Sequence, residues 1–137
     1  MNAVKVRFSK NETGWVSESE GGYVINNVPL TNGLNIDDVV ELEEGKRDYP
    51  IVGKIKKMNY LSKTAIEYQE IIDYKQIKVE IEKIGGKMEG FFAPSVNKDG
   101  KYTKGLAMVA SNLDKIAVNK IIKKYGAKII HHEKRGV

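Results

Sequence analysis

The stretch DYKQIKVEIEKIGGKM, residues 73–88, decides the fold because a related stretch follows it 41 positions later. The later copy reads DKIAVNKIIKKYGAKI, residues 114–129. In both copies apolar residues recur at three- and four-residue steps and glycine follows, which is the pattern of an amphipathic helix with a glycine cap. A strand-like run precedes each copy, at 64–69 and 105–110. Strand, helix and strand, twice over, predict a ferredoxin-like βαββαβ unit.

The first helix is predicted to begin at Asp73, because Asp73 and Gln76 have the spacing of a capping box. Gly85 is predicted to end it in a left-handed conformation. The residues predicted to form its apolar stripe are Tyr74, Ile77, Ile81 and Ile84.

The second helix is predicted to take Ser111 or Asn112 as its N-cap and to end at Gly126. The residues predicted to form its buried side are Leu113, Ala117, Val118, Ile121, Ile122 and Tyr125. Right-handed crossovers place both helices on one face of a four-stranded sheet.

The first sixty residues predict a small β-unit. Residues 4–8 alternate apolar and polar, with Val4, Val6 and Phe8 on one face, and Gly21-Gly22 has the character of a hairpin turn. The other predicted strands are 15–18, 23–28, 39–43 and 49–57, with a reversal at 44–46.

Together these patterns predict an α+β fold. Residues 1–60 form a small β-sheet or SH3-like barrel, and residues 61–137 form the ferredoxin-like βαββαβ unit. Since about sixty residues make a marginal core alone, we expect the two units to pack together as one compact body.

The composition is that of a globular protein. The chain has 137 residues, of which 41% are hydrophobic and 30% charged, and no apolar stretch approaches the roughly 20 residues that span a bilayer. No secretory signal begins it, and cysteine is absent, which excludes disulfides, thiol catalysis and thiolate metal sites. We therefore expect a cytoplasmic protein without a membrane association or a cofactor.

Charge is unevenly distributed along the chain. Residues 1–60 hold 8 basic and 9 acidic side chains, and residues 61–137 hold 15 basic and 9 acidic ones. Such an asymmetry steers a charged partner, unless the charges only solvate the surface. The first half contains an acidic segment whose members are Asp37, Asp38, Glu41, Glu43, Glu44 and Asp48. The second half contains a polar run at 97–105, predicted to be a mobile hairpin tip, with Lys98, Lys101 and Lys104.

Residues able to support catalysis are scarce. His131 and His132 are adjacent in a predicted strand and point to opposite faces, so they do not chelate one metal together. Gly85 and Gly86 follow a helix, whereas phosphate-binding loops precede one. The sequence predicts neither a catalytic site nor a metal site.

Nucleic-acid binding is the alternative that the basic half raises. Ferredoxin-like sheets of RNA-recognition modules stack bases on exposed aromatics, and Phe91, Phe92 and Tyr68 are the candidates here. The alternating Phe-x-Phe pattern of those modules is absent, and we expect both phenylalanines to lie in the core. The lysines available for phosphate contacts on the second helix are Lys120, Lys123 and Lys124.

Three runs resemble a known family: KVRF at 5–8, YVINNVP at 23–29 and LNIDDVVELE at 34–43. The chain resembles the bacterial domain-of-unknown-function family 4265, whose members have a small β-unit followed by a ferredoxin-like half. A Ser-Gly-His-Ser-Thr-like segment typical of that family corresponds here to NYLSKT at 59–64, which lacks the histidine. The resemblance implies the fold and no activity.

The function predicted from these features is that of a non-enzymatic protein-binding module, namely an immunity protein that neutralises a cognate protein toxin. Two surfaces are candidates for the partner, the acidic segment and the lysines of the hairpin and second helix. The alternative is non-specific RNA or DNA binding by the basic half, and an enzyme with a pocket at the junction of the halves ranks third.

Overall fold

A computed structural model describes residues 3–45 and 48–135. Its contacts divide the chain into two compact units, Met1–Tyr60 and Leu61–Val137. The architecture is α+β, with a closed five-stranded sheet in the first unit and a four-stranded sheet with two helices in the second. The predicted fold class is confirmed.

The first unit is a small barrel of five strands in sequential order: β1 Ala3–Ser9, β2 Glu12–Ser19, β3 Gly22–Ile25, β4 Val39–Glu43 and β5 Ile51–Lys57. Successive strands pair antiparallel, and a parallel pairing of Arg7 with Ile51 closes the barrel. The inward face of β1 is the predicted one, since Val6 and Phe8 are buried and Val4 packs against the same core. The five described strands therefore close on themselves through this pairing.

Two strands of the barrel are shorter than predicted, for local reasons. β3 ends at Ile25 because the N–H of Trp15 donates to the side chain of Asn27 at 3.1 Å and no longer to a strand partner. β5 begins at Ile51 because Pro50 has no N–H to donate. The predicted reversal at 44–46 includes Lys46, which lies outside the described residues.

The second unit contains these elements in order: β6 Ser62–Tyr68, α1 Ile71–Lys83, β7 Lys87–Phe92, β8 Ser95–Val96, β9 Tyr102–Thr103, β10 Gly105–Ser111, α2 Lys115–Ile122 with a 3₁₀ turn at Lys123–Tyr125, and β11 Lys128–Lys134. The sheet order is β11-β6-β10-β7, and every pairing is antiparallel. The two repeats thus interleave, each supplying one central and one edge strand. β8 and β9 form a separate hairpin between the copies.

The helix starts differ from the prediction. α1 begins at Ile71 with Glu70 as its N-cap, and Asp73 is the third helical residue, whose carboxylate accepts the Glu70 N–H at 3.2 Å. In α2 the N-cap is Asp114, which accepts the Ala117 N–H at 2.8 Å. The predicted caps Ser111 and Asn112 were wrong.

The predicted helix ends are confirmed. Gly85 and Gly126 both have positive φ, at 84° and 71°. After α1 the Gly86 N–H donates to the Ile81 carbonyl at 2.9 Å and the Gly85 N–H to Glu82 at 3.1 Å, which is a Schellman motif.

The core of the second unit lies between the helices and one face of the sheet. Ile77 and Ile81 of α1 and Val118 and Ile122 of α2 are fully buried there, as their spacing predicted. Ile84 was predicted to join this core but is exposed. It lies beyond the last turn of α1, so the helical spacing no longer fixes the direction of its side chain.

Candidate interaction surfaces

The acidic segment is not one continuous acidic surface. Asp38 is fully buried, and its carboxylate accepts the Asn35 N–H at 2.9 Å, so it holds the loop before β4 together. Asp37 is half-buried and has a positive φ of 64°, and its carbonyl accepts a hydrogen bond from the Asn59 side chain at 2.6 Å. Both residues of the predicted acidic pair therefore have structural contacts within the first unit.

The remaining acidic residues are exposed but interleaved with cations. Asp48 accepts a hydrogen bond from Arg7 at 2.5 Å, and this bond is the main reason why the pKa of Asp48 is lowered. Glu41, Glu43 and Glu44 are exposed at and after β4, while the paired strand β5 presents exposed Lys54 and Lys56. Alternating charges on neighbouring strands weaken the field that a basic partner would feel.

The lysine-rich hairpin forms an arm, residues 91–104, in which every residue except Pro94 is exposed. Its tip is built on Asn97, whose side-chain oxygen accepts the N–H groups of Asp99 and Lys101 at 3.0 and 2.9 Å. Behind the tip, the Ser95 and Thr103 hydroxyls are 2.8 Å apart. The arm is therefore cross-linked by hydrogen bonds along its length.

Four large apolar side chains of the arm are exposed, and three of them are exposed by about half or more. Phe92 is 65% exposed, Val96 67% and Tyr102 49%. The prediction that Phe91 and Phe92 belong to the core was wrong. Strand β10 pairs Leu106 with Phe92 but Ala107 with Gly90, so Phe91 is the extra residue of a bulge and both rings leave the core.

The same arm carries three exposed lysines. Lys98 and Lys101 are exposed at the tip, and Lys104 lies at the base, 3.3 Å from the Glu67 carboxylate. Sequence reasoning identified the lysines but missed Val96 and Tyr102. The sequence does contain a signal for them. Val96 and Tyr102 are apolar residues in a polar, turn-rich segment, and a segment of this kind forms strands too short to bury them in a core.

Tyr68 does not take part in an aromatic binding platform. It is buried on the helix side of the sheet, where its ring centroid lies 5.4 Å from that of Tyr74. Its hydroxyl donates to the Phe92 carbonyl at 3.2 Å, and its pKa is raised mainly by burial. The ring is therefore inaccessible for stacking on a base.

The lysines of the second helix have different surroundings. Lys124 donates to the Glu80 carboxylate of α1 at 2.5 Å, and the Tyr125 hydroxyl donates to the same carboxylate. These bonds lower the pKa of Glu80, with Lys124 as the larger cause. Lys120 and Lys123 are exposed on α2 and the 3₁₀ turn that follows it. Lys124 thus fixes the end of α2 against α1.

The histidines form no catalytic arrangement. His132 Nδ1 lies 2.8 Å from the Thr64 hydroxyl, but Thr64 is fully buried and out of reach of a substrate. Burial is the main cause that lowers the pKa of His132. His131 is exposed on the same strand. Within residues 3–45 and 48–135, no group of three or more His, Asp or Glu side chains is arranged to hold a metal ion.

One exposed aromatic of the barrel was also missed. Trp15 on β2 is exposed, and the Lys5 ammonium lies 6.0 Å from its ring centroid and 5.1 Å from that of Tyr49. The cation already occupies the space between the two rings. Neither helix in the described part of the chain has the length and apolar character needed to cross a bilayer.

Comparisons with known proteins identify no family. No model of a protein family matches the chain, and no curated protein is significantly similar to it. A solved structure of a hypothetical protein from Neisseria gonorrhoeae is similar over 96% of this chain and 92% of its own, with 14% sequence identity and a TM-score of 0.47. The resemblance to the family 4265 stays a prediction.

Proposed function

We propose that this protein is a non-enzymatic protein-binding module of the immunity type, which neutralises a cognate toxin by covering it, and that the arm is the surface that binds. The observation that carries the proposal is that three large apolar side chains, Phe92, Val96 and Tyr102, are exposed on one short hairpin that also carries three exposed lysines.

The composition of the arm is that of an interface hot spot. Aromatic side chains dominate binding energy when a partner buries them, and a rim of polar and charged groups surrounds such anchors. An ordinary interface covers about 800 Å² on each partner, so the arm would be the centre of the contact and adjoining residues would complete it. Lys98 and Lys101 at the tip favour a toxin with an acidic surface, because complementary charge speeds association.

The arm is favoured over the acidic segment on structural grounds. Asp38 is buried, Asp48 is bonded to Arg7, and the exposed glutamates lie beside the lysines of β5. The acidic segment therefore offers less continuous charge than its sequence indicated.

A toxin-rescue assay tests the proposal. A toxin-like protein encoded beside this chain is expressed with it, and growth and binding are measured for two sets of variants. Phe92→Ser with Tyr102→Ser is expected to abolish rescue and to raise the Kd at least about 30-fold, as the loss of a hot-spot anchor does. Glu41→Lys with Glu43→Lys is the control set and is expected to retain rescue.

The outcomes separate the two surfaces. Rescue that survives the arm variants and is lost with the glutamate variants assigns the partner to the acidic segment and overturns the arm. If the wild-type chain neither binds nor rescues, the immunity function itself is wrong. Circular dichroism of each variant shows that folding is unchanged, since Phe92, Tyr102, Glu41 and Glu43 are all exposed.

Non-specific binding of single-stranded nucleic acid is the second candidate function, because exposed rings beside lysines also stack bases and contact phosphates. Fluorescence anisotropy with labelled single-stranded RNA at about 50 and 200 mM salt tests it. Three phosphate contacts predict a slope of about −2 in log K against log salt. The absence of binding at low salt removes this candidate.

A further inference from the structure

A second surface lies on the helices of the second unit, outside the arm. A groove of about 800 Å³ runs between α1 and the end of α2. Two ridges of α1 contribute to its lining, because residues spaced by four lie on one side of a helix. Lys75, Val79 and Lys83 make the first ridge, and Gln76, Glu80 and Ile84 the second.

The floor of the groove is apolar and open to solvent. Val79 is 53% exposed and Ile84 54%, and Ile121 of α2 is half-buried beside them. The core of this unit takes Ile77 and Ile81 from the opposite side of α1, so the fold does not use Val79. This apolar floor offers contacts to a ligand, and together with the charge on either side of it defines a candidate binding surface.

The sides of the groove are cationic. Lys75, Lys83 and Lys124 line it, and among the described residues of its lining Glu80 is the single carboxylate. Glu80 already accepts hydrogen bonds from Lys124 and Tyr125. A ligand that placed carboxylates beside Lys75 and Lys83 would find complementary charge there.

We propose that this groove docks an acidic amphipathic helical segment of a partner protein. From Lys75 to Lys83, the last residue of α1, the helix rises about 12 Å, enough to contact about two turns of a docked helix. Apolar side chains at three- and four-residue spacing would contact Val79 and Ile84, and Asp or Glu on either side would pair with the lysines. A second copy of this chain fits poorly, since a symmetric contact brings the same lysines together.

This inference is independent of the proposed function, because the residues that line the groove lie outside the arm. The probe is a display library of random peptides, roughly twelve residues long, selected on the immobilised full-length chain. The selected peptides are expected to combine Asp or Glu with two apolar residues at helical spacing. Lys75→Glu with Lys83→Glu is expected to weaken their binding at least about tenfold.

Two control variants and one further groove variant separate binding in the groove from a general effect of charge and from binding at the arm. Lys120→Glu with Lys128→Glu makes the same change in charge at exposed positions outside the groove and is expected to change the Kd by less than about twofold. Val79→Ser is expected to weaken binding without any change in charge. Phe92→Ser with Tyr102→Ser is expected to leave peptide binding intact, so failure of the arm and failure of the groove are distinguishable.

Several results would overturn the proposal. One is a selection that yields no acidic amphipathic sequences, and another is selected peptides whose binding ignores both Lys75→Glu with Lys83→Glu and Val79→Ser. A labelled single-stranded oligonucleotide that binds and is lost with the same lysine pair would assign the groove to phosphates. A dimer in sedimentation that Val79→Ser dissociates would assign it to a second copy.

Discussion

The ring of Tyr68 lies directly over the backbone of Gly105. The two residues are partners across β6 and β10, and a Cβ built on Gly105 would lie 2.1 Å from Cζ of Tyr68. From this position the ring packs against Tyr74, and its hydroxyl reaches the Phe92 carbonyl where the arm begins. A glycine at 105 is therefore what allows a buried aromatic residue at the base of the arm.

Gly105→Ala should destabilise the second unit by about 1–3 kcal/mol, because the added methyl group overpacks the ring. Gly90→Ala on the adjacent strand β7 is the matched control, since its Cβ would meet Tyr74 at an ordinary 3.5 Å. The measurement is denaturant unfolding followed by helical circular dichroism, because α1 and α2 both lie in this unit. Equal losses from the two substitutions would contradict the steric explanation.

Much of this unit could be predicted because its signals are local. The periodic apolar residues of α1 and α2 and the glycines that end them depend on residues within one or two turns, and the duplication shows the pattern twice. The predicted start of α1 at Asp73 was wrong, because an aspartate serves equally as the N-cap or as the third helical residue. Asp73 takes the second role, and Glu70 takes the first.

The candidate surfaces were harder to predict because they depend on pairing between distant residues. The bulge at Phe91 arises from the register of β7 against β10, and the residues next to Phe91 in sequence do not indicate that register. The burial of Asp38 likewise depends on how its loop folds. Sequence alone therefore located the lysines of the arm but not its exposed apolar residues.

Asp114→Ala should destabilise α2 by about 1 kcal/mol, because the Ala117 N–H loses its acceptor. Asp114→Asn keeps a side-chain oxygen and should retain most of that stability. Asp99→Ala removes a carboxylate at the exposed tip of the arm and is the control for charge alone. Denaturant midpoints measure all three. A loss of stability with Asn as large as that with Ala would show that the charge matters and the cap does not.

Stability should fall as the pH drops below about 6.5 in part because of His132. Burial lowers its pKa from the ordinary histidine value of 6.5, so the unfolded chain binds this proton more readily than the folded one. The contribution is fully present above pH 6.5 and is lost as the pH falls through the lower pKa of the folded protein, with a slope of at most about 1.4 kcal/mol per pH unit. His132→Gln should reduce the dependence of the unfolding free energy on pH over this range.

The control for that experiment is His131→Gln, which removes an exposed ring from the same strand but keeps the burial of His132, the main cause of its lowered pKa, and should therefore keep the fall in stability. NMR titration of the His132 ring gives the pKa directly. A His132 that titrates above 6.5 in the folded protein would contradict the expected sign.

The pKa of Tyr125 should fall when Glu80 is removed. The Tyr125 hydroxyl donates to the Glu80 carboxylate, and this bond, which only the protonated phenol makes, is the main cause that raises the pKa of Tyr125. Glu80→Ala is therefore expected to bring the pKa down toward 10.0, the ordinary value for tyrosine. Glu82→Ala removes an exposed carboxylate from the same helix and should leave the pKa unchanged. NMR titration of isotopically labelled tyrosine measures both variants, and an unchanged pKa in Glu80→Ala would show that the bond between α1 and the turn after α2 is absent in solution.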